Sequence, residues 1–122
     1  MNNGHIRVVV ASPGKRARTE RIPNTLAALQ ALVGGYLEAV HGPEGLRSKG
    51  FTIYCNDDGK RLGLVRNVPL QYDDFIAGTV VVSMADAGGE ELGLDEKQAW
   101  VASAFLDLLR GLYEVPNKET GK

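Results

Sequence analysis

Apolar residues recur along this chain at two different periods, and the switches between them outline its elements. His5 to Ala11 (HIRVVVA) is β-rich and holds Val8, Val9 and Val10 in a row, a run that suits an interior strand. Ser12-Pro13-Gly14-Lys15 predicts a turn, since proline presets one backbone angle and glycine supplies the positive φ that follows. Ala17 to Ile22 (ARTERI) alternates, which predicts a second strand in a hairpin with the first. The period then changes. Leu29, Leu32, Val33, Tyr36, Leu37 and Val40 follow helical spacing and predict a helix from a cap at Asn24 or Thr25 to about Val40. Gly34 and Gly35 would lie inside that helix, each at a cost of about 1 kcal/mol relative to alanine.

Beyond it, His41 to Gly50 is rich in glycine and reads as a loop. Phe51 to Asn56 predicts a strand with Phe51, Ile53 and Cys55 on one face. Asp57-Asp58-Gly59-Lys60 predicts a hairpin turn, with Arg61 to Val65 as the returning fourth strand. Asn67 to Asp74 is a polar connection, and Phe75 to Met84 a fifth, heavily apolar and central strand. Asp86 to Gly93 is a loop. Leu94 to Tyr113 predicts a second helix, capped by Asp95 with Gln98 three residues on. Its apolar stripe is Val101, Ala104, Phe105, Leu108, Leu109 and Leu112, with Trp100 and Leu106 left to meet another subunit. The reading is α+β: a single small domain over residues 1–122, a mostly antiparallel sheet of about five strands with two helices packed on it. Its ordered core spans about 5–115, and 116–122 form a polar tail.

Composition narrows the function classes. The apolar fraction of 43% and charged fraction of 24% are ordinary for a globular protein, and no apolar run is long enough for a membrane span. The N-terminal residues lack the order of a signal peptide, and Cys55 is the single cysteine, so a cytoplasmic location is expected. Net charge is −1, which argues against nucleic acid as a partner. The charge is unevenly spread, however: ten of fourteen basic residues lie at or before Arg66, and ten of fifteen acids at or after Asp73. Complementary neighbouring elements explain this, as does a basic face for an anionic ligand with an acidic face for a partner.

Several short motifs occur in a fixed order: Ser12-Pro13-Gly14-Lys15, then Asn24-Thr25-Leu26 with Leu29-Gln30, then Val33-Gly34-Gly35-Tyr36-Leu37-Glu38. Cys55-Asn56-Asp57-Asp58-Gly59-Lys60 with Leu62-Gly63-Leu64, Asn67, Ile76-Ala77-Gly78 and Asp95-Glu96-Lys97-Gln98 complete the series. Over roughly residues 6 to 100 this pattern resembles an uncharacterised domain-of-unknown-function family carried by bacteriophages, plasmids and conjugative elements of bacteria. It departs from the family pattern at Val65-Arg66-Asn67-Val68, where a proline followed by asparagine and arginine is expected, and in a longer loop over Gly42 to Lys49. The resemblance implies a small accessory protein of a mobile element, working in the bacterial host cytoplasm.

Each candidate site has a plain structural alternative. Gly34-Gly35 admits close approach, either by packing elements or by a ligand or subunit flanked by Tyr36 and Glu38. Asp57-Asp58 lacks further ligands at EF-hand spacing, so no metal is expected. Cys55 faces inward as a small hydrophobe. Pro13-Gly14-Lys15-Arg16 lacks the first glycine and the Ser/Thr of a phosphate loop, but a basic turn there can still attract anions. Arg66-Asn67, at a strand end, offers a donor fork and an amide, unless Arg66 neutralises Asp73 or Asp74. His41 reads as a cation at a helix C-terminus, and no catalytic constellation or cofactor is expected.

These residues point to a non-enzymatic binding protein of a mobile element. It would sequester a small anionic, nucleotide-like ligand in a counter-defence or accessory role. The ligand-binding set is Lys15, Gly34, Gly35, Tyr36, Arg66 and Asn67. The second reading is an interaction module whose acidic second half, with Asp86, Glu90 and Glu91, occupies a host protein. An enzyme dependent on His41 or Cys55 is the third. A homo-oligomer is expected through the last helix.

Overall fold

The computed structural model describes residues 4–113. β1 (His5–Ala11) turns back into β2 (Arg18–Pro23) as the hairpin pattern predicts. α1 (Leu26–Val33) follows, then β3 (Leu37–Val40), a short α2 (Glu44–Arg47) and β4 (Thr52–Asn56). β5 (Arg66–Pro69), β6 (Phe75–Ala77), β7 (Val80–Ser83) and α3 (Glu96–Leu109) complete the chain. The main sheet has five antiparallel strands in the order β2-β1-β7-β4-β3, and β5 pairs with β6 in a second sheet. The architecture is α+β.

Alternation in β1 serves two cores. Ile6, Val8 and Val10 pack with Ile22, Val81 and α1's Leu29 and Val33. Val9 and Ala11 face the other way, toward Ile53, Cys55, Val80 and Val82 and the inner side of α3. This two-sided burial is why the valine run is continuous, and it makes β1 and β7 interior strands. The second sheet and α2 share that face with α3, contributing Val68, Ile76 and Leu46.

The long first helix is overturned. Thr25 caps α1, its hydroxyl accepting from the Ala28 amide at 3.1 Å. The helix ends at Val33, where Gly34 takes a left-handed φ of 80° and returns its amide to the Gln30 carbonyl. Gly35 meets the side chain of Asn56: a Cβ there would stand 2.7 Å from Asn56 Nδ2. That amide in turn donates to the Val33 carbonyl at 3.2 Å. The glycine pair is therefore a stop and a close approach, not a flaw within a helix. His41 accordingly lies beyond β3 and not at a helix end.

Two strands are redrawn. Asn56 Oδ1 accepts from the Asp58 amide, and Leu62, Gly63 and Leu64 donate back to Asp58, Lys60 and Gly59. These consecutive turns replace the expected hairpin: no strand forms over Arg61 to Val65, β4 pairs with β3 and β7 instead, and β5 pairs with β6 in the second sheet. The apolar stretch Phe75 to Met84 divides at Gly78, whose φ of 86° sends β6 and β7 to different sheets. The expected loop after His41 contains α2, and the tail at 116–122 lies outside the described residues.

α3 begins as expected, with Asp95 and Gln98 in a reciprocal capping box. Its buried face differs from the expected stripe. Ala99, Ala102, Leu106 and Asp107 face inward, while Leu108 is 68% and Trp100 66% exposed. Small alanines let the helix approach the sheet; of the expected stripe, Val101 and Phe105 pack against the flank of the core, and Leu108 is left turned outward.

Substitutions should separate these roles. Leu106→Ala is expected to cost about 2–5 kcal/mol in urea unfolding, and Leu108→Ala within about 0.5 kcal/mol. Gly34→Ala should cost about 1–2 kcal/mol through left-handed strain alone.

Candidate functional site

The last turn of α3 is held from inside. Arg110, its side chain 3% exposed, reaches back over the β1–β2 turn. Its Nη1 donates to the Ser12 carbonyl at 2.9 Å and to Asn67 Oδ1 at 2.8 Å. Nη2 donates to the Lys15 carbonyl at 2.6 Å and to Asp107 Oδ1 at 3.2 Å. Asp107 also accepts from the Ala17 amide at 2.8 Å. Asn67 completes the cluster, donating to the Ala11 and Gly78 carbonyls, both at 2.8 Å. A buried ion pair stabilises a fold only where such hydrogen bonds offset desolvation, and here the β1–β2 turn backbone and the Asn67 side chain supply them.

This cluster brings Asn67 and the Lys15 backbone together, but as structure. Asn67 has both amide ends engaged, and the Lys15 side chain is exposed on the turn. Arg66 leaves Asp74 to Lys60 and lies over the Phe75 ring, 4.6 Å from its centroid. Lys60 approaches the same ring at 4.8 Å. Gly34 and Gly35 are occupied by the helix stop and by Asn56, and Tyr36 is 76% exposed. None of the six lines either of two clefts that the described residues form.

Those clefts adjoin. The larger, about 640 Å³, lies between β3, the Gly42–Gly45 segment, the Pro69–Gln71 turn and α3. Val40, Leu70, Phe105 and Leu109 supply its apolar surface. The smaller, about 360 Å³, continues past the Asp57–Arg61 turns to Phe75. Glu38, Val40, Leu70 and Asp74 line both, so they form one groove. Sequence reasoning missed it because its walls are neighbours only after folding. A local signal was Glu38 beside Val40, two residues apart on what proves to be a strand.

The groove's charge follows from its ion pairs. Asp74 is paired with Lys60 and Asp58 with Arg61, and each partner holds that carboxyl below the usual carboxylate range. Glu44 pairs with Arg47. Glu38 and Asp57 have no ion-pair partner among the described residues, so the remaining charge is negative. Cys55, on the groove's inner wall, is pushed up to about 11 by burial and then by Glu38 and Asp57. That makes it a buried thiol, as expected, and a poor nucleophile.

Beside this groove runs the outer edge of β3. The Asp57 amide donates to the Tyr36 carbonyl at 2.8 Å, which sets the ladder's phase. Glu38 and Val40 then bond to β4, opposite Cys55 and Ile53. Leu37 and Ala39 direct their N–H and C=O groups outward, and no described strand pairs with them.

The family model for a domain of unknown function, DUF3846, matches residues 6–109, from β1 to the end of α3. The chain belongs to the DUF3846 family. The match spans both sheets, the groove and Asp107, so these belong to the DUF3846 domain itself. No curated protein and no solved structure matches the chain. The described residues hold no helix long and apolar enough to cross a membrane and no cluster suited to a metal ion.

On the opposite sheet face Tyr54 donates to Glu91, and burial followed by that bond raises the phenol. Glu91 is thus turned inward, not offered as surface charge. Tyr54 and Cys55 together predict alkaline sensitivity. Between about pH 9 and 11 the folded chain retains the Cys55 proton that the unfolded chain releases, so stability falls as pH rises through that window. Urea midpoints measured from pH 8 to 11 should decline, and Cys55→Ala should flatten the slope.

Proposed function

We propose that this DUF3846 protein is a non-enzymatic binding protein whose groove takes an extended segment of a protein partner. One observation carries the reading: an unpaired strand edge at β3 runs beside an apolar groove with uncompensated acid. An incoming strand gains backbone hydrogen bonds from Leu37 and Ala39. Its alternate side chains fall toward Val40, Leu70 and Phe105, while a lysine or arginine meets Glu38. Basic and apolar residues in alternation are the matching chemistry.

The anionic, nucleotide-like ligand has less support. Its six residues do not line the groove, and the charge remaining there would repel phosphate. The mobile-element context implied by the sequence motifs suits a small protein that occupies a host component, in a counter-defence or accessory role. It acts in the groove rather than through the Asp86–Glu91 loop, where Asp86 caps its own turn and Glu91 binds Tyr54.

Calorimetric titration with a short peptide alternating valine or leucine with lysine, and separately with ATP, tests this. The peptide is expected to bind, and Glu38→Lys to weaken it about tenfold, ~1.4 kcal/mol. Proline at the peptide's central position should abolish binding by removing a donor. Binding of ATP with the peptide inert would reverse the assignment.

A further inference from the structure

The hairpin joining β5 to β6 turns through two residues held where side chains rarely sit. Asp74 donates its amide to the Gln71 carbonyl at 3.1 Å, closing a turn whose central residues are Tyr72 and Asp73. Their φ angles are 59° and 60°. Positive φ at both central positions belongs to the type I′ turn, which asparagine and glycine fill most readily. A tyrosine in that region is an outlier.

The turn's anchors explain its shape but not its residues. The Leu70 amide donates to the Asp74 carbonyl at 2.9 Å, and its side chain packs so closely on Gly42 that a Cβ there would stand 2.9 Å from Leu70 Cδ2. Asp74 accepts from the Phe75 amide at 2.8 Å and pairs with Lys60. With both ends fixed, the two central residues are kept in the left-handed region. Asparagine would satisfy each of these contacts with less strain. Yet the fold makes almost no use of the Tyr72 ring, which is 93% exposed, the most of any large apolar side chain among the described residues. Asp73 is exposed too and has no ion-pair partner among them.

Place and charge identify what this tip meets. Leu70, Gln71 and Asp74, on either side of it, line the groove, so the tip stands at the groove's rim. An aromatic face attracts cations, and arginine above lysine because the planar guanidinium stacks on it. A carboxylate one residue away attracts the same group and repels an anion.

We infer that Tyr72 and Asp73 form a clamp for an arginine of the segment that the groove takes, the ring stacking on the guanidinium and the carboxylate pairing with it. This rests on the groove's occupant being an extended basic segment. Glu38 then reads one basic position and the hairpin tip a second, at which arginine is preferred to lysine.

Calorimetric titration of the full chain with the alternating valine–lysine peptide, and with its valine–arginine counterpart, tests the clamp. The arginine peptide is expected to bind about fivefold more tightly. Tyr72→Asn should erase that preference and weaken the arginine peptide about tenfold, while its urea midpoint stays level or rises. Tyr72→Phe should retain the preference. Asp73→Asn should weaken both peptides, and less at high salt. Affinity and stability moving apart is a result that a merely structural tyrosine cannot give. If the wild-type chain binds and Tyr72→Asn binds equally well, the clamp is overturned and the groove reading stands. If the wild-type chain binds neither peptide, both fall. A lowered urea midpoint for Tyr72→Asn would also overturn the clamp, since the tyrosine would then be serving the fold.

Discussion

The placement of α3, and of the groove wall it supplies, depends on the Arg110–Asp107 pair. The guanidinium gathers carbonyls from the β1–β2 turn, and Asn67 links it to the second sheet. One cluster thus fixes three objects: the end of α3, the hairpin turn and β5. Leu109 and Phe105 stand on the same two turns of helix as Asp107, so the groove wall inherits its position from a charge pair it never touches. Removing Asp107 would leave the Arg110 guanidinium without its carboxylate in a dry interior, a cost typically of about 3–5 kcal/mol, whereas Asp107 without Arg110 keeps Arg16 at 3.6 Å.

A second junction operates at the C-terminal end of β4. Asn56 ends that strand, binds the Val33 carbonyl and orders the turns that follow by accepting from Asp58. Gly35 leaves room for its amide. The Val-Gly-Gly-Tyr and Cys-Asn-Asp-Asp-Gly motifs, twenty residues apart in the chain, are therefore two halves of one contact. Their joint work is to start β3 immediately after α1 and to lay it against β4 with its far edge open.

The elements most legible in the sequence were those whose local pattern has one physical meaning. Val8-Val9-Val10 fits only a strand buried on both faces, and Asp95 with Gln98 only a helix start. Where two meanings coincide, the pattern misleads. Leu37 and Val40 extend α1's helical spacing by accident, because in β3 they pack into different cores, one on each face of the sheet. In α3 the larger side chains drew attention away from Ala99 and Ala102, which make the closest approach. The Asn67–Arg110 bond joins residues 43 positions apart, a separation over which no local pattern carries information. The groove was hidden for the same reason.

The two borders of the main sheet are unlike. β2's outer border bears Arg18, Glu20, Arg21 and Pro23, a mixture that discourages another strand from docking there. β3's border is short and bears one charge, Glu38. Only one border of this sheet is receptive, so copies of the chain cannot stack border to border indefinitely. Two copies joined β3 to β3 would present only β2 borders outward, leaving no receptive border from which a fibre could grow.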